Sequence, residues 1–237
     1  MFLSFKIKPV LIFLLVIVCG IIFSFALVFS VNRVTSGALN YTIALDAGHG
    51  GVDGGCVGRV TGVKESDLNL LIVRKLERYL TNFGFKVILT RKDENGLYDK
   101  FDRNYKLDDM SKRKAIIEKN NANLVVSIHM NSHPSKSSRG AQAFFYQGDE
   151  VGRILADTIQ QELVKNIDGA RKSSSSGDYY ILNCTQNPSV MIECGFLSNP
   201  EEEKLLSTDE YQEKMAYFIF SGIIKFFETI NTMVGYF

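Results

Sequence analysis

Short apolar runs alternate with longer amphipathic stretches from residue 41 almost to the C-terminus. Tyr41–Asp46, Phe85–Leu89, Leu124–Ile128, Ala141–Tyr146, Tyr179–Leu182 and Val190–Glu193 are rich in β-branched or aromatic residues and predict strands. Leu68, Leu71, Ile72, Leu76 and Leu80 recur at helical spacing, with Ser66 or Asp67 as the cap and Gly84 as the stop. Further helices fit Asp108–Lys119, Glu150–Val164 and Asp209–Ile230, the last with its Phe and Tyr residues packed into the core. Strands alternating with helices predict an α/β domain: a mostly parallel mixed sheet of about six strands flanked by helices. Two polar stretches stand out. Lys92–Leu107 has no period, and a loop that long in a compact domain is a candidate substrate-facing surface. Arg171–Gly177 is serine-rich and reads as a loop.

The N-terminus follows a different pattern. Residues 9–32 carry no charge and are mostly Leu, Ile, Val and Phe, flanked by Lys6 and Lys8 on one side and Arg33 on the other. An apolar run of this length suffices to span a ~30 Å hydrocarbon core, whereas a cleaved signal peptide has a core of ~7–15 residues. The expectation is a signal anchor, with the N-terminus in the cytoplasm and the domain exported. Cleavage as a signal peptide stays open, because Ser36-Gly37-Ala38 is a small-x-small site just past the run. The division is therefore 1–40 for this segment plus a short linker, and 41–237 for one domain.

Composition narrows the function. Lys plus Arg is 27 against 26 for Asp plus Glu, a net charge of +1. Without residues 1–33 the balance is 24 basic to 26 acidic, which gives no electrostatic case for nucleic acid. Beyond Cys19 in the apolar run, the chain has Cys56, Cys184 and Cys194, with no CxxC pair. These read as small buried apolar residues in preference to a disulfide framework, although Cys184 and Cys194 are far enough apart to bridge.

The three histidines are more informative. His49 follows the first strand by a short turn and His129 directly follows another, and ligands in open α/β sheets bind beyond the carboxyl ends of strands. Glu193 closes a third strand, where a carboxylate is costly to bury without a partner. The layout suggests two imidazoles and one carboxylate on a metal, with a second carboxylate beside it, as in catalytic zinc sites. Spacing alone leaves the carboxylate ligand open among Asp46, Asp53, Glu65 and Asp67; Asp46 could instead orient a ligand imidazole. His133 reads as a rim residue, and Arg91 and Arg113 as salt-bridging residues. The glycines Gly48, Gly50, Gly51, Gly54 and Gly55 lack the GK[ST] signature of a phosphate loop and fit close backbone approach at a metal.

Five motifs, in order, resemble the zinc-dependent N-acetylmuramoyl-L-alanine amidases that cleave peptidoglycan: Asp46-Ala47-Gly48-His49-Gly50-Gly51, Lys64-Glu65-Ser66-Asp67-Leu68-Asn69-Leu70, Leu89-Thr90-Arg91, Ser127-Ile128-His129-Met130-Asn131-Ser132, and Ile192-Glu193-Cys194-Gly195-Phe196-Leu197-Ser198-Asn199. A bare catalytic domain behind an apolar segment is most similar to the germination-linked spore-cortex group. The resemblance implies one Zn2+ held by His49, Glu65 and His129, with Glu193 as catalytic acid/base. It also implies hydrolysis of the amide between N-acetylmuramic acid and L-alanine, leading in the spore cortex to muramic-δ-lactam. Arg171, in its polar loop, and Asn131, in the fourth motif, are candidate substrate contacts. Ala47 and Gly54 stand where Pro is common in the family, and Cys56 where Ala is common, placing thiols near the metal. The implied partners are peptidoglycan, the membrane if the N-terminal segment is retained, and an accessory protein, since no wall-binding module is appended. The alternatives are a zinc peptidase acting on the stem peptide and a non-catalytic wall-binding protein.

Overall fold

The computed structural model describes residues 12–24, 41–98 and 104–234. Residues 12–24 of the apolar run are helical (α1) with exposed side chains; the rest of the run, the Ser36–Ala38 site and the linker lie outside the described residues. No helix among the described residues is long and apolar enough to cross a membrane.

The domain proper runs β1 (Thr42–Ala47), α2 (Glu65–Phe83), β2 (Lys86–Leu89), α3 (Tyr105–Lys119), β3 (Leu124–Asn131), β4 (Gln142–Phe145), α4 (Glu150–Asn166), β5 (Ser175–Ser176), α5 (Tyr180–Asn183), β6 (Ser189–Phe196), α6 (Pro200–Leu206) and α7 (Asp209–Val234). The sheet order is β2-β1-β3-β6-β4-β5. The first four strands in that order are parallel, and β4 runs antiparallel to β6 while pairing parallel with β5. This is the expected α/β sheet, mostly parallel and mixed.

Strand alternation divides the residues between two faces. Ile43, Leu45, Val126, Ile128, Val190 and Ile192 point to one, where α2, α4 and α7 bury apolar rows that include Leu68, Ile72, Leu76, Ile159 and Ile219. The opposite face carries Ala44, Val125 and Met191 under a smaller cover from Ile117 of α3 and Ile181 and Leu182 of α5. Towards the carboxyl ends of the strands this thinner-covered face changes from apolar to polar: Asp46, Ser127, His129 and Glu193 follow in the same alternation. The sheet register sets Asp46 beside Ser127 and His129 beside Glu193.

Two local expectations are corrected. Tyr179–Leu182 is not a strand: Tyr180–Asn183 forms a helical turn, and the edge pairing with β4 is taken by Ser175–Ser176 from the serine-rich loop. A strand would send Ile181 and Leu182 to opposite faces, whereas the turn buries both in one cluster. Helix α2 starts at Glu65 with Lys64 at the cap position and no side-chain cap, so neither Ser66 nor Asp67 serves there. Gly84 does end that helix, in the left-handed conformation at φ 109°. All four cysteines are free, so Cys184 and Cys194 form no bridge.

Candidate active site

β1 ends in a turn that only an unusual backbone can make. His49 has φ 62°, Gly50 φ 141° and Gly51 φ 63°, and non-glycine residues adopt such angles only when the surroundings impose them. Two buried guanidinium groups do so here. Arg91 donates to the carbonyls of Ala47 (2.8 Å), Gly48 (3.1 Å) and Ser66 (2.7 Å), and Arg113 to those of Ala47 (2.7 Å) and His49 (2.6 Å). Arg113 also pairs with Asp46 and Asp109, each at 2.6 Å. The salt-bridging expectation therefore holds for Arg113, while Arg91 is spent on carbonyls. Asp46 does not orient an imidazole. Its carboxylate accepts from Thr90, Ser127 and Arg113, all at 2.6 Å. Burial opposes its charge, but Arg113 and the two hydroxyls outweigh that and hold its pKa well below the usual carboxylate range.

The turn aims His49 at Glu65, on the first turn of α2. His49 Nε2 lies 3.2 Å from Glu65 Oε1 and His129 Nδ1 3.0 Å from the same oxygen. Glu65 also accepts from the backbone N–H groups of Met130 (3.1 Å) and Cys56 (2.9 Å). Of the four carboxylates left open by spacing, Glu65 is the one that meets both histidines. Asp53 takes a different place, accepting at 3.0 Å from His49 Nδ1 and so leaving Nε2 free to act as a ligand. Burial disfavours charge on both Glu65 and His49. The histidine contacts nevertheless keep the Glu65 pKa far below its ordinary value, and Glu65 and Asp53 lift His49 to about 9.

The donor atoms of His49, Glu65 and His129 lie within 4.8 Å of one another, a set that could hold one metal ion. Backbone space confirms how tightly the cluster is built: a Cβ on Gly48 would sit 2.2 Å from the His129 ring, and one on Gly55 2.5 Å from Glu65 Oε2. Glu193, in register with His129, has one buried carboxylate oxygen with no hydrogen-bond partner. Burial pushes its carboxyl up to about 7, with the nearby Glu65 charge adding to the rise and the histidines opposing it. An unpartnered buried carboxyl beside two imidazoles and a carboxylate is what a cation-binding hydrolytic centre needs, so the residues present fit a metal.

Beside this cluster a cavity of about 250 Å3 opens between α3 and α5. Tyr98, Tyr105 and Lys106 wall it on one side and Tyr179 and Tyr180 on the other, with Met191 among the apolar lining. The flanks of the polar Lys92–Leu107 stretch thus face the site; residues 99–103 lie outside the description. Tyr98 and Tyr105 belong to the stretch expected to face substrate, whereas Tyr179 and Tyr180 lie in the segment read as a strand and carry no local signal of their place at the site. Arg171 and Asn131 do not join the cluster. They flank Phe196, Arg171 with its guanidinium 5.5 Å from the ring centroid and Asn131 as its register partner on β3. His133 is a loop residue, exposed and hydrogen-bonded to Ser138 at 2.9 Å. Cys56 lies beside Glu65 but outside the donor cluster, and burial pushes its thiol pKa upward, against thiolate formation.

A mixed α/β sheet whose strand ends present this donor set beside a cleft describes a hydrolase. The family model of N-acetylmuramoyl-L-alanine amidases matches residues 43–225. The germination-specific N-acetylmuramoyl-L-alanine amidase of Bacillus subtilis is 37% identical over 189 residues, 78% of this chain and 79% of that protein. Among solved structures, the CwlD amidase from Clostridioides difficile, in complex with the GerS lipoprotein, superposes with a TM-score of 0.77 at 40% identity, covering 80% of this chain and 100% of that one. The catalytic domain of CwlV, an amidase from Bacillus (Paenibacillus) polymyxa var. colistinus, gives a TM-score of 0.70 at 28% identity, over 79% and 98% of the two chains. The chain belongs to the N-acetylmuramoyl-L-alanine amidase family and is an amidase acting on peptidoglycan.

Proposed function

We propose that this enzyme uses one zinc ion, held by His49, Glu65 and His129, and that Glu193 is its catalytic acid/base. The carrying observation is the convergence of those three donors from the turn after β1, α2 and β3, with the Glu193 carboxyl and its unpartnered oxygen one strand away. Zinc bound there supplies Lewis acidity for the scissile carbonyl and acidifies water. The chain's own part is proton handling. Glu193, lifted by burial into the neutral range, accepts the proton of the attacking water at its carboxylate and returns it to the departing amide nitrogen of L-alanine. Asp53 holds His49 in one tautomer. The tyrosine walls offer apolar contact to the substrate in the cleft, and Asn131 and Arg171, which flank Phe196, are the candidate contacts for its more distant parts.

The relatives support a biological setting. The germination-specific relative in Bacillus subtilis supports action in the spore cortex, where peptide-stripped muramic acid is passed on towards muramic-δ-lactam. The complex of the Clostridioides difficile amidase with a lipoprotein supports an accessory partner. Residues 1–40 then anchor or export the catalytic domain 41–237, which works outside the cytoplasm. Elemental analysis of the purified chain together with mass spectrometry of digested peptidoglycan tests the metal and the bond at once. We expect one zinc per chain and free lactyl ends with L-alanine amino termini. His49→Ala and His129→Ala should lose both zinc and activity. Glu193→Ala should lose activity and keep zinc; loss of zinc from that variant would show that ligand and base are misassigned.

A further inference from the structure

The strained turn at His49 is gripped from outside as well as from beneath. The N–H of Gly51 donates to the carbonyl of Glu94 at 2.7 Å, and the N–H of Leu97 donates to Asp109 at 2.6 Å. These bonds seat residues 94–98 on the turn. Tyr98 then closes the contact: its hydroxyl donates to the carbonyl of Gly50 at 3.0 Å and accepts from the N–H of Val52. One phenol oxygen thereby ties together two of the three residues that separate His49 from Asp53. The surroundings are shaped to admit it. A Cβ on Gly51 would stand 2.3 Å from the hydroxyl, and one on Gly96 2.1 Å from the ring. The ring also packs against Tyr105, with centroids 5.1 Å apart.

What this contact holds is the spacing on which the cluster depends. His49 can present Nε2 to Glu65 at 3.2 Å while Asp53 takes Nδ1 at 3.0 Å only if Gly50 and Gly51 keep their positive-φ path. Arg91 and Arg113 hold carbonyls up to His49, and beyond it Tyr98 holds the carbonyl of Gly50 and the N–H of Val52.

We infer that Tyr98 is a positioning residue for the metal centre, acting through its hydroxyl on the Gly50–Val52 backbone to set both His49 and Asp53. This inference rests on the zinc reading above. Its test is zinc affinity, measured by chelator competition on the full-length chain in detergent, with the melting temperature of the metal-free protein measured alongside. Partners that orient metal ligands are typically worth 10–100-fold in affinity. Tyr98→Phe, which keeps the ring and removes only the hydroxyl, should weaken zinc binding by about tenfold or more on that scale, with the metal-free melting temperature unchanged. Tyr98→Ala should be no weaker for zinc than Tyr98→Phe beyond what its own melting temperature accounts for. Unchanged zinc affinity in Tyr98→Phe overturns the inference, as does a loss matched by a fall in the metal-free melting temperature, which marks a structural role. Absence of zinc from the wild-type chain would instead strike the metal assignment, so the two failures are distinguishable.

Discussion

At the scale of single residues, the site shows how position decides the role of a carboxyl group. Asp46, Asp53, Glu65 and Glu193 are chemically alike, yet each has its own surroundings: Asp46 meets Arg113, Asp53 meets His49, Glu65 meets both histidines, and Glu193 keeps an unpartnered buried oxygen. Asp46 is a structural anion for Arg113. Breaking such a buried pair costs about 3–5 kcal/mol, and Asp46→Asn should approach that loss at neutral pH in urea unfolding. The pKa of Asp46 is depressed in the folded state, so its contribution is present in full above its ordinary value of 3.8. It is lost as pH falls from there through the folded pKa. The deficit of Asp46→Asn should therefore be constant from pH 5 to 7 and shrink in strong acid; a deficit growing with acidity would contradict the assignment. Gly48 makes the complementary point for space. The space its missing Cβ would fill is taken by the His129 ring at 2.2 Å, so Gly48→Ala should displace that ring and, on the proposed zinc assignment, lower zinc affinity, read by chelator competition, while β1 keeps its core contacts.

At the scale of elements, legibility in the sequence tracks how local the cause is. The strands β1, β3 and β6 and the helices α2, α4 and α7 are readable because burial repeats along each one, and His49 and His129 are readable because they sit at strand ends. Glu65 and Glu193 become specific through the motif resemblance, since spacing alone leaves the carboxylate ligand open. The helical turn α5 is easily misread because Tyr-Tyr-Ile-Leu suits a strand equally well, and only the demand to bury two successive residues in one cluster decides. Asp46 is open to misreading for a related reason: its guanidinium partner lies 67 positions away. Helix α7 illustrates an element whose fit depends on one absent atom. A Cβ on Gly222 would lie 2.4 Å from the Ile159 Cα of α4, a backbone atom that cannot swing aside. Overpacking of this kind costs about 1–3 kcal/mol. Gly222→Ala should therefore be destabilising in thermal unfolding, although alanine is the better helix former; a gain in stability would show that the two helices can separate without loss.

For the molecule as a whole, the donors come from a turn after β1, the start of α2 and the end of β3, so no single element contains the complete set. A metal held there binds the native state in preference to the unfolded one and must stabilise it. At a free zinc concentration a hundredfold above Kd the gain is about 2.7 kcal/mol. For a domain of this size each kcal/mol moves Tm by about 2–4 °C, so zinc should raise Tm by about 5–10 °C on those scales. Because the shift reports binding and not turnover, it separates the two kinds of residue in the site. Glu193→Ala should show the wild-type shift, since that carboxyl is not among the three donors. His129→Ala should show almost none. Equal shifts in the two variants would mean that the ion is held by some other set of side chains, and the division between ligand and proton carrier would have to be redrawn.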